Sequence, residues 1–366
     1  MEVEVKPYQK GDEKDLNVIL RKIYHREVND AYWWWKYLEN PLGSHFSYCA
    51  LLDDRVVGFA GGIPYRIKAG DREIIGGQLM DLMVEPELQG KKAFSPIMKA
   101  SLGDLMKKTD MYYGFTNEHS FRVYSQDKRH EVAFKVPRMI KILNTEALIK
   151  NKVSLDIAAK AVGSLSDFGL KITEKLQSSS KKSDLNIQMI DKFDERFDEF
   201  WEKVSAHFEI LQVRDHNYLE WRYSRHPLIQ YTTYAVEEKN DILGFMVLKN
   251  ESDEINRGFF LEFFALPERQ DVQDLLLNKA QEHFINRDVD VITAWMFPHA
   301  PYYKTFRRHM FFSRPGDLIV MVNLFKGDND AREFIKNPLN WYVSCGDHES
   351  GMSLLHRCLS NVSQAS

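Results

Sequence analysis

Cysteine is scarce in this chain of 366 residues, with only Cys49, Cys345 and Cys358 present. Three scattered thiols cannot build a disulfide framework, and they fit a reducing compartment. No apolar run approaches the roughly 18 to 20 residues that span a bilayer. The start, Met1-Glu2-Val3-Glu4-Val5-Lys6, lacks the basic and apolar regions of a signal peptide, so a cytoplasmic protein without a membrane span is expected. Charge of one sign is not in excess either. With 49 Lys+Arg against 53 Asp+Glu the formal net charge is -4, which gives no global basic field and argues against a nucleic-acid partner. No Gly-x-Gly-x-x-Gly follows a strand, which disfavours a dinucleotide fold. The absence of a Gly-x-Ser-x-Gly elbow and of a characteristic cysteine context removes the serine and cysteine hydrolases. Cys345, His348, His356 and Cys358 fall close together, but their spacing matches no zinc-finger pattern, so no metal is expected.

What is present is core-forming material: 44% hydrophobic and 13% aromatic residues, enough for about two domains at this length. The chain also repeats itself. Tyr32, Trp35, Tyr37 and Pro41 recur as Tyr218, Trp221, Tyr223 and Pro227, with Lys36 answered by Arg222, all at an offset of 186. The same offset pairs Tyr48 with Tyr234, Gly58 with Gly244 and Phe59 with Phe245. Asp81-Leu-Met-Val-Glu-Pro86 is echoed by Glu262-Phe-Phe-Ala-Leu-Pro267. A register held across an intervening turn marks two copies of one domain. Trp35 and Trp221, shared by both copies, are expected in the core; Trp33 and Trp34, without counterparts, are expected to be more exposed.

The expected division is a first domain over 1–143, a helical connector and polar linker over 144–186, a second domain over 187–326 and a tail over 327–366. The linker rests on Gln177-Ser-Ser-Ser-Lys-Lys-Ser-Asp-Leu-Asn186. Within the first copy, Val3 and Val5 open a strand, and Asp12 can cap a helix with Leu16, Ile19, Leu20 and Ile23 on its core face. Residues 46–52 and 56–60 form a hairpin. A strand ending in a turn at Gly76-Gly77 leads into Leu79–Val84, and after Pro86 a helix carries Phe94, Ile97, Met98, Leu102, Leu105 and Met106 on one side. Met111–Phe115 is a buried strand, 119–129 a helix and Glu131–Leu143 a last strand.

The chemistry is expected where the strand ending at Val84 feeds the helix beginning near Ala93. A strand, a short turn with Gly90 and a helix N-terminus together present unpaired backbone N–H groups and the positive end of a dipole, which suit a pyrophosphate. Lys91 and Lys92 add positive charge. A strand-turn-helix unit that binds nothing is the bland alternative for the same residues.

The run Val84-x-Pro86-x-x-Gln89-Gly90-Lys91, the run Tyr113-Gly114-Phe115-Thr116-Asn117-x-x-Ser120 and the order of elements resemble the Gcn5-related N-acetyltransferase (GNAT) superfamily, in its tandem-repeat branch. The resemblance covers about 300 residues, both copies. It implies an α+β fold of two tandem GNAT-like domains, each a mixed, mostly antiparallel sheet flanked by helices. It also implies a loop from Gln89 through Gly90, Lys91, Lys92 and Ala93 to Phe94 that holds the pyrophosphate of acetyl-CoA or another acyl-CoA. Lys92 and Phe94 stand where the family usually has small residues, so the Lys92 side chain must point away or meet the phosphates. By the same resemblance the backbone of Met83 and Val84 runs beside the pantetheine, with an amide at the strand end polarising the thioester carbonyl. Asn117 faces the cofactor arm. Tyr124 either protonates the departing thiolate or fills the helix–sheet interface, and Asp81 is either the base that deprotonates the amine or a hydrogen-bonded strand-end carboxylate. Glu118 and His119 are weaker base candidates.

In the second copy Glu268, Asp271 and Asp274 follow Pro267 and no glycine does, so that helix N-terminus is served by its own acids, which repel a pyrophosphate. Trp295, Pro298, His299, Tyr302 and Tyr303 are expected on one wall of the cleft, and the tail, with Trp341 and Asp347, packs back on the repeats. The expected activity is acyl-CoA-dependent N-acyltransfer, with acetyl as the expected group, to an amine-bearing small molecule or amino sugar. A non-catalytic tandem GNAT-like binding protein and a FemABX-like aminoacyl transferase are the alternatives; acetyl-CoA binding and a basic groove, respectively, discriminate them.

Overall fold

The computed structural model describes residues 3–89, 94–116, 121, 132–150, 185–316 and 318–348. The expected helix 119–129 and most of the connector lie outside these.

The chain begins with β1 (Glu4–Pro7), α1 (Glu13–Tyr24) and a short α2 (Asp30–Trp33). The last runs into a π-helical turn, Trp34–Leu38, closed by a bond from Glu39 N to Trp34 O of 2.9 Å. Leu16, Ile19 and Leu20 of α1 are buried as expected. Asp12 does not cap the helix; its carboxylate accepts from Lys6 Nζ at 2.7 Å and from Gln9 N at 3.0 Å. Four strands follow: β2 (Tyr48–Leu52), β3 (Arg55–Ala69), β4 (Arg72–Val84) and, after a 3-10 turn and α3 (Phe94–Lys108), β5 (Met111–Thr116). Asp53 and Asp54 both take positive φ in the two-residue β2–β3 turn, the conformation that matches the twist of a hairpin. Gly76 and Gly77 lie inside β4 and make no turn. They are needed there because a Cβ at Gly77 would sit 2.6 Å from Leu105 of α3, and one at Gly76 2.9 Å from Ile67.

The second half repeats this order with one added strand, β9: β8 (Asn186–Ile190), α5 (Arg196–Ser205), β9 (Ile210–Gln212), α6 (His216–Leu219), a second π turn (Glu220–Ser224), β10 (Thr232–Glu238), β11 (Asp241–Glu251), β12 (Arg257–Ala265), α7 (Gln270–Ile285) and β13 (Val291–Trp295). The helix α4 (Thr145–Lys150) is the described part of the connector. The remaining elements are α8 (Tyr303–Arg308), β14 (Phe312–Arg314), β15 (Ile319–Leu324) and α9 (Asn329–Lys336). The recurrence reaches the caps: Asn29 accepts from Tyr32 N at 3.0 Å and Asp215 from Tyr218 N at 2.9 Å.

Two mixed sheets result, and their membership does not follow the chain halves. With β6 (Val132–Lys135) and β7 (Arg138–Ile142), the first has the order β1-β2-β3-β4-β5-β15-β6, with β9 on β3; the second is β14-β7-β13-β12-β11-β10-β8. The single last strand expected over Glu131–Leu143 is in fact two, β6 (Val132–Lys135) and β7 (Arg138–Ile142), one in each sheet. Pro137 breaks the run because it cannot donate to a ladder. The return crossing, from β14 to β15, passes Pro315-Gly316, and a Cβ at Gly316 would overlap the Val136 carbonyl. The two crossings therefore touch, and only glycine lets them. The sheets thus divide the chain otherwise than boundaries at 143 and 326 would.

At the junction of the halves the indoles of Trp35 and Trp221 stack at 5.0 Å, and each donates its Nε1–H to the other's backbone carbonyl, at 2.8 and 2.9 Å. Both are core residues. Trp33 differs from expectation: it is fully buried, its Nε1 donating to Asn17 Oδ1 at 3.1 Å, because a polar partner on α1 satisfies its single donor. Trp34 is half-buried under Lys10, whose Nζ lies 3.8 Å from the ring centre.

Candidate active site in the first sheet

β4 and β5 run parallel but pair only at Gly76–Met111 and Gly77–Tyr112. Beyond Gly77, β4 continues to Val84 with a strand partner on the β3 side alone, among the described residues. The strands therefore splay, leaving a backbone edge directed into the gap. Val84 ends this edge beside α3, over Gly58 and Ile97. The junction to the loop is anchored by Glu85, whose buried carboxylate accepts two bonds from Arg55, at 2.6 and 2.9 Å, and one from Lys22 at 2.9 Å. The Arg55 guanidinium, then Lys22, hold its pKa below the ordinary carboxylate value against the effect of burial. Gln89 folds back so that its Nε2 donates to Val84 O at 3.2 Å. Met83 and Val84 are buried. Gly90, Lys91, Lys92, Ala93, Asn117, Glu118, His119 and Tyr124, together with the side chain of Phe94, lie outside the described residues. Of the expected site, the structure therefore brings together Asp81, Met83, Val84 and Gln89 on one strand end and turn.

Asp81 occupies a β-bulge: Phe59 pairs with Met83 and Gly61 with Met80, so Ala60 faces both Asp81 and Leu82. Its φ is +49°, in the left-handed region. Its Oδ2 accepts from Lys36 Nζ at 2.6 Å and from Tyr37 Oη at 2.6 Å. One oxygen of the carboxylate is therefore held from two sides. Lys36 is completely buried, with Tyr32 Oη 3.3 Å from its Nζ. Lys36 and Tyr37, legible in the sequence only as part of the repeat, reach Asp81 from 45 and 44 residues away.

The second sheet repeats the splay and fills it. β12 pairs with β13 only over Arg257–Phe259. Past that point the Tyr342 hydroxyl donates to Phe263 O at 3.1 Å. Tyr302 Oη both donates to Ala265 O at 2.8 Å and accepts from Ala265 N at 3.2 Å. Tyr342 belongs to the tail, which continues as a 3-10 turn, Cys345–Asp347, locked by Ser344 N donating to Asp347 Oδ2 at 2.7 Å. Glu262, the counterpart of Asp81, accepts from Tyr223 Oη at 2.6 Å as Asp81 does from Tyr37. Its cation is different: Arg214 bridges Glu262 and Asp347 at 2.8 Å each, while Arg222 donates to the carbonyls of Gly346 and His348. Burial pushes the Glu262 carboxyl up, against the pull of Arg214. At the start of α7, Asp271 is paired with Arg269 at 2.8 Å, and that bond, with backbone amides, lowers its pKa. Of the residues expected to line a wall here, Tyr302 is fully buried, Trp295 packs on the His348 ring at 5.5 Å, and His299 bonds the Trp341 carbonyl.

Residues 4–126 match the family described as Acetyltransferase (GNAT) domain. A search of curated proteins finds no match to the chain. Among solved structures it is similar to N-myristoyltransferase of Saccharomyces cerevisiae with bound myristoyl-CoA, at 14% identity and a TM-score of 0.55 over 88% of this chain and 78% of that one. A conserved protein of Enterococcus faecalis V583 described as a probable N-acyltransferase aligns at 14% identity and a TM-score of 0.57, over 89% and 73%. A GCN5-related N-acetyltransferase of Anabaena variabilis ATCC 29413 aligns at 11% and 0.58, over 89% and 73%. Among the described residues no helix is long and apolar enough to cross a membrane. With a GNAT acetyltransferase domain matched in residues 4–126 and two splayed mixed sheets in one chain, this protein has the GNAT fold.

Proposed function

We propose that the chain transfers an acyl group from an acyl-CoA to an amine-bearing small molecule, and that the first sheet alone takes the donor. The observation that carries this reading is the contrast between the two splays. The second has its strand-end polar groups satisfied by Tyr302 and Tyr342 and its gap occupied by the tail. The first is followed by Gln89-Gly90-Lys91-Lys92 and the start of α3. A strand edge with no second strand partner among the described residues suits the amide-bearing pantetheine arm, which can pair along Met83 and Val84 as a strand would. The loop from Gln89 to Phe94 would hold the pyrophosphate, with Lys91 and Lys92 supplying charge and α3 its N-terminal dipole. The bound donor supplies an activated acyl thioester. The protein's part is to orient it along β4, to aim a backbone amide at the thioester carbonyl, and to pass a proton from Tyr124 to the sulfur as the C–S bond breaks, while the amine nitrogen that forms the new C–N bond gives up a proton to water and Tyr124 is reprotonated from solvent. Asp81 enters through the backbone it shapes, since Lys36 and Tyr37 engage its Oδ2. Myristoyl-CoA in the yeast structure supports an acyl-CoA donor in this fold; acetyl-CoA is our first choice because the matched domain family is one of acetyltransferases.

Titration with acetyl-CoA, followed by thermal unfolding and calorimetry, tests the reading. One donor should bind per chain, stabilising by about 2.7 kcal/mol at a hundredfold excess over Kd. Gln89→Ala should weaken binding, whereas Asp271→Ala should not. No stabilisation by any acyl-CoA from two to fourteen carbons on the order of millimolar concentration makes the chain a binding module instead.

A further inference from the structure

Asp81 is the one position of β4 where a residue other than glycine is held at positive φ, and the counterpart strand β12 has none. In β12 the bulge falls one residue earlier: Val247 pairs with Glu262 and Leu248 with Phe260, leaving Leu261 extra. A left-handed conformation is disfavoured for any residue with a Cβ and persists only where surrounding contacts over-determine it. The contacts here are Lys36 and Tyr37, presented by one π turn. Gly61 makes their approach possible, because a Cβ there would overlap the Tyr37 hydroxyl. The ion pair is wholly buried, the Lys36 side chain fully and the Asp81 side chain to within 4%. Such a pair returns little more in attraction than desolvating both charges costs. Its use is therefore conformational. In the second half the tyrosine–carboxylate bond survives, but the cation of the π turn, Arg222, has left the carboxylate for the tail carbonyls. Only the half whose β4 edge lacks a second strand partner among the described residues keeps all three parts.

We propose that Lys36, Tyr37 and Asp81 form a positioning lock that holds the β4 bulge in its left-handed form and so fixes the direction of the backbone amides that receive the acyl thioester. This rests on the acyltransfer reading. The three residues are positioning residues: they act through the backbone and do not exchange protons with the substrate.

The decisive pair is Lys36→Met/Asp81→Gly against Lys36→Met/Asp81→Ala. Each removes both buried charges together, so neither leaves an unpaired ion, and they differ by one methyl group. Glycine adopts the left-handed bulge freely; alanine does not. The glycine variant should keep kcat within about tenfold of wild type, and the alanine variant should fall on the order of tenfold below it. KM for acyl-CoA should move less than about threefold in both, with the pH profile unchanged. Equal losses in the two variants mean that the Asp81 carboxylate itself acts in the reaction, and equal retention means that the bulge is not used; either overturns the lock. If wild type neither binds nor uses acyl-CoA, the acyltransfer reading fails, and amide exchange over residues 80–84 then decides the lock by itself. Faster exchange in the alanine variant than in the glycine variant and wild type supports it, and identical exchange in all three overturns it.

Discussion

At the same place in each sheet a π-turn tyrosine donates to a buried strand carboxylate at 2.6 Å, Tyr37 to Asp81 and Tyr223 to Glu262. The two pairs then part. In the first half the carboxylate keeps the neighbouring lysine and bends its own strand into the left-handed region. In the second half an arginine from outside the π turn, Arg214, ties the carboxylate to Asp347 of the tail, and the strand, though bulged at Leu261, has no residue at positive φ. The difference teaches that a duplicated polar pair can serve two ends. Joined to a local cation it shapes a strand edge; joined to a distant one it cements a segment of the chain into the gap where a ligand would lie.

The hardest test of that contrast removes each cation. Arg214→Met strands two buried carboxylates, Glu262 and Asp347, and should cost roughly 3 to 5 kcal/mol in denaturant unfolding. Burial acts against the Arg214 charge, but Asp347 and Glu262 outweigh it and hold its pKa well above the ordinary value. Lys36→Met strands one carboxylate that retains Tyr37, so its loss should be smaller. If Lys36→Met is the worse of the two, the first pair is the cement and the assignment of roles inverts.

The next effect separates the halves by pH. His283, buried behind β10 near Tyr234, has its pKa pushed down from 6.5 to about 4 by burial, then by Arg287 and Lys279. It is neutral in the fold and protonated in the unfolded chain between those values. Its contribution is thus intact above pH 6.5 and lost as pH falls to about 4, by roughly 2 to 3 kcal/mol. His283→Gln should flatten the acid limb of the stability curve by that amount. An unchanged acid limb would show that the second half does not set acid sensitivity.

The smallest and sharpest comparison uses two glycines. Gly61→Ala drives a methyl group into Tyr37, and Gly346→Ala drives one into Glu262 and Tyr223. Each should cost about 1 to 3 kcal/mol of stability. Only Gly61→Ala should also lower kcat, because only it pushes on the lock. Equal kinetic effects would erase the functional distinction between the halves.

Much of this was legible in the residues. The shared offset of Trp35 and Trp221 marked the repeat, and the stacked indoles with reciprocal hydrogen bonds lie at its centre. The alternation of β4 and the apolar face of α3 placed the strand, the turn and the helix, with Ile97, Leu102 and Leu105 inward. Trp33 was misjudged because burial of an indole depends on a partner for its N–H, and Asn17 is on another helix. Gly76-Gly77 read as a turn because glycine marks both turns and close approaches, and only the packed Leu105 shows which applies.

By itself the sequence determined the elements and their two-fold recurrence, since these follow from hydrophobic period and capping residues close together in the chain. It could not determine that β7 and β15 change sheets, because an alternating strand carries the same pattern whichever neighbour accepts its hydrogen bonds. Nor could it place Asp81 in the left-handed region or the tail in the second splay. Both depend on partners 44 residues and more away, and the free energy that holds them exists only once those distant segments have packed together.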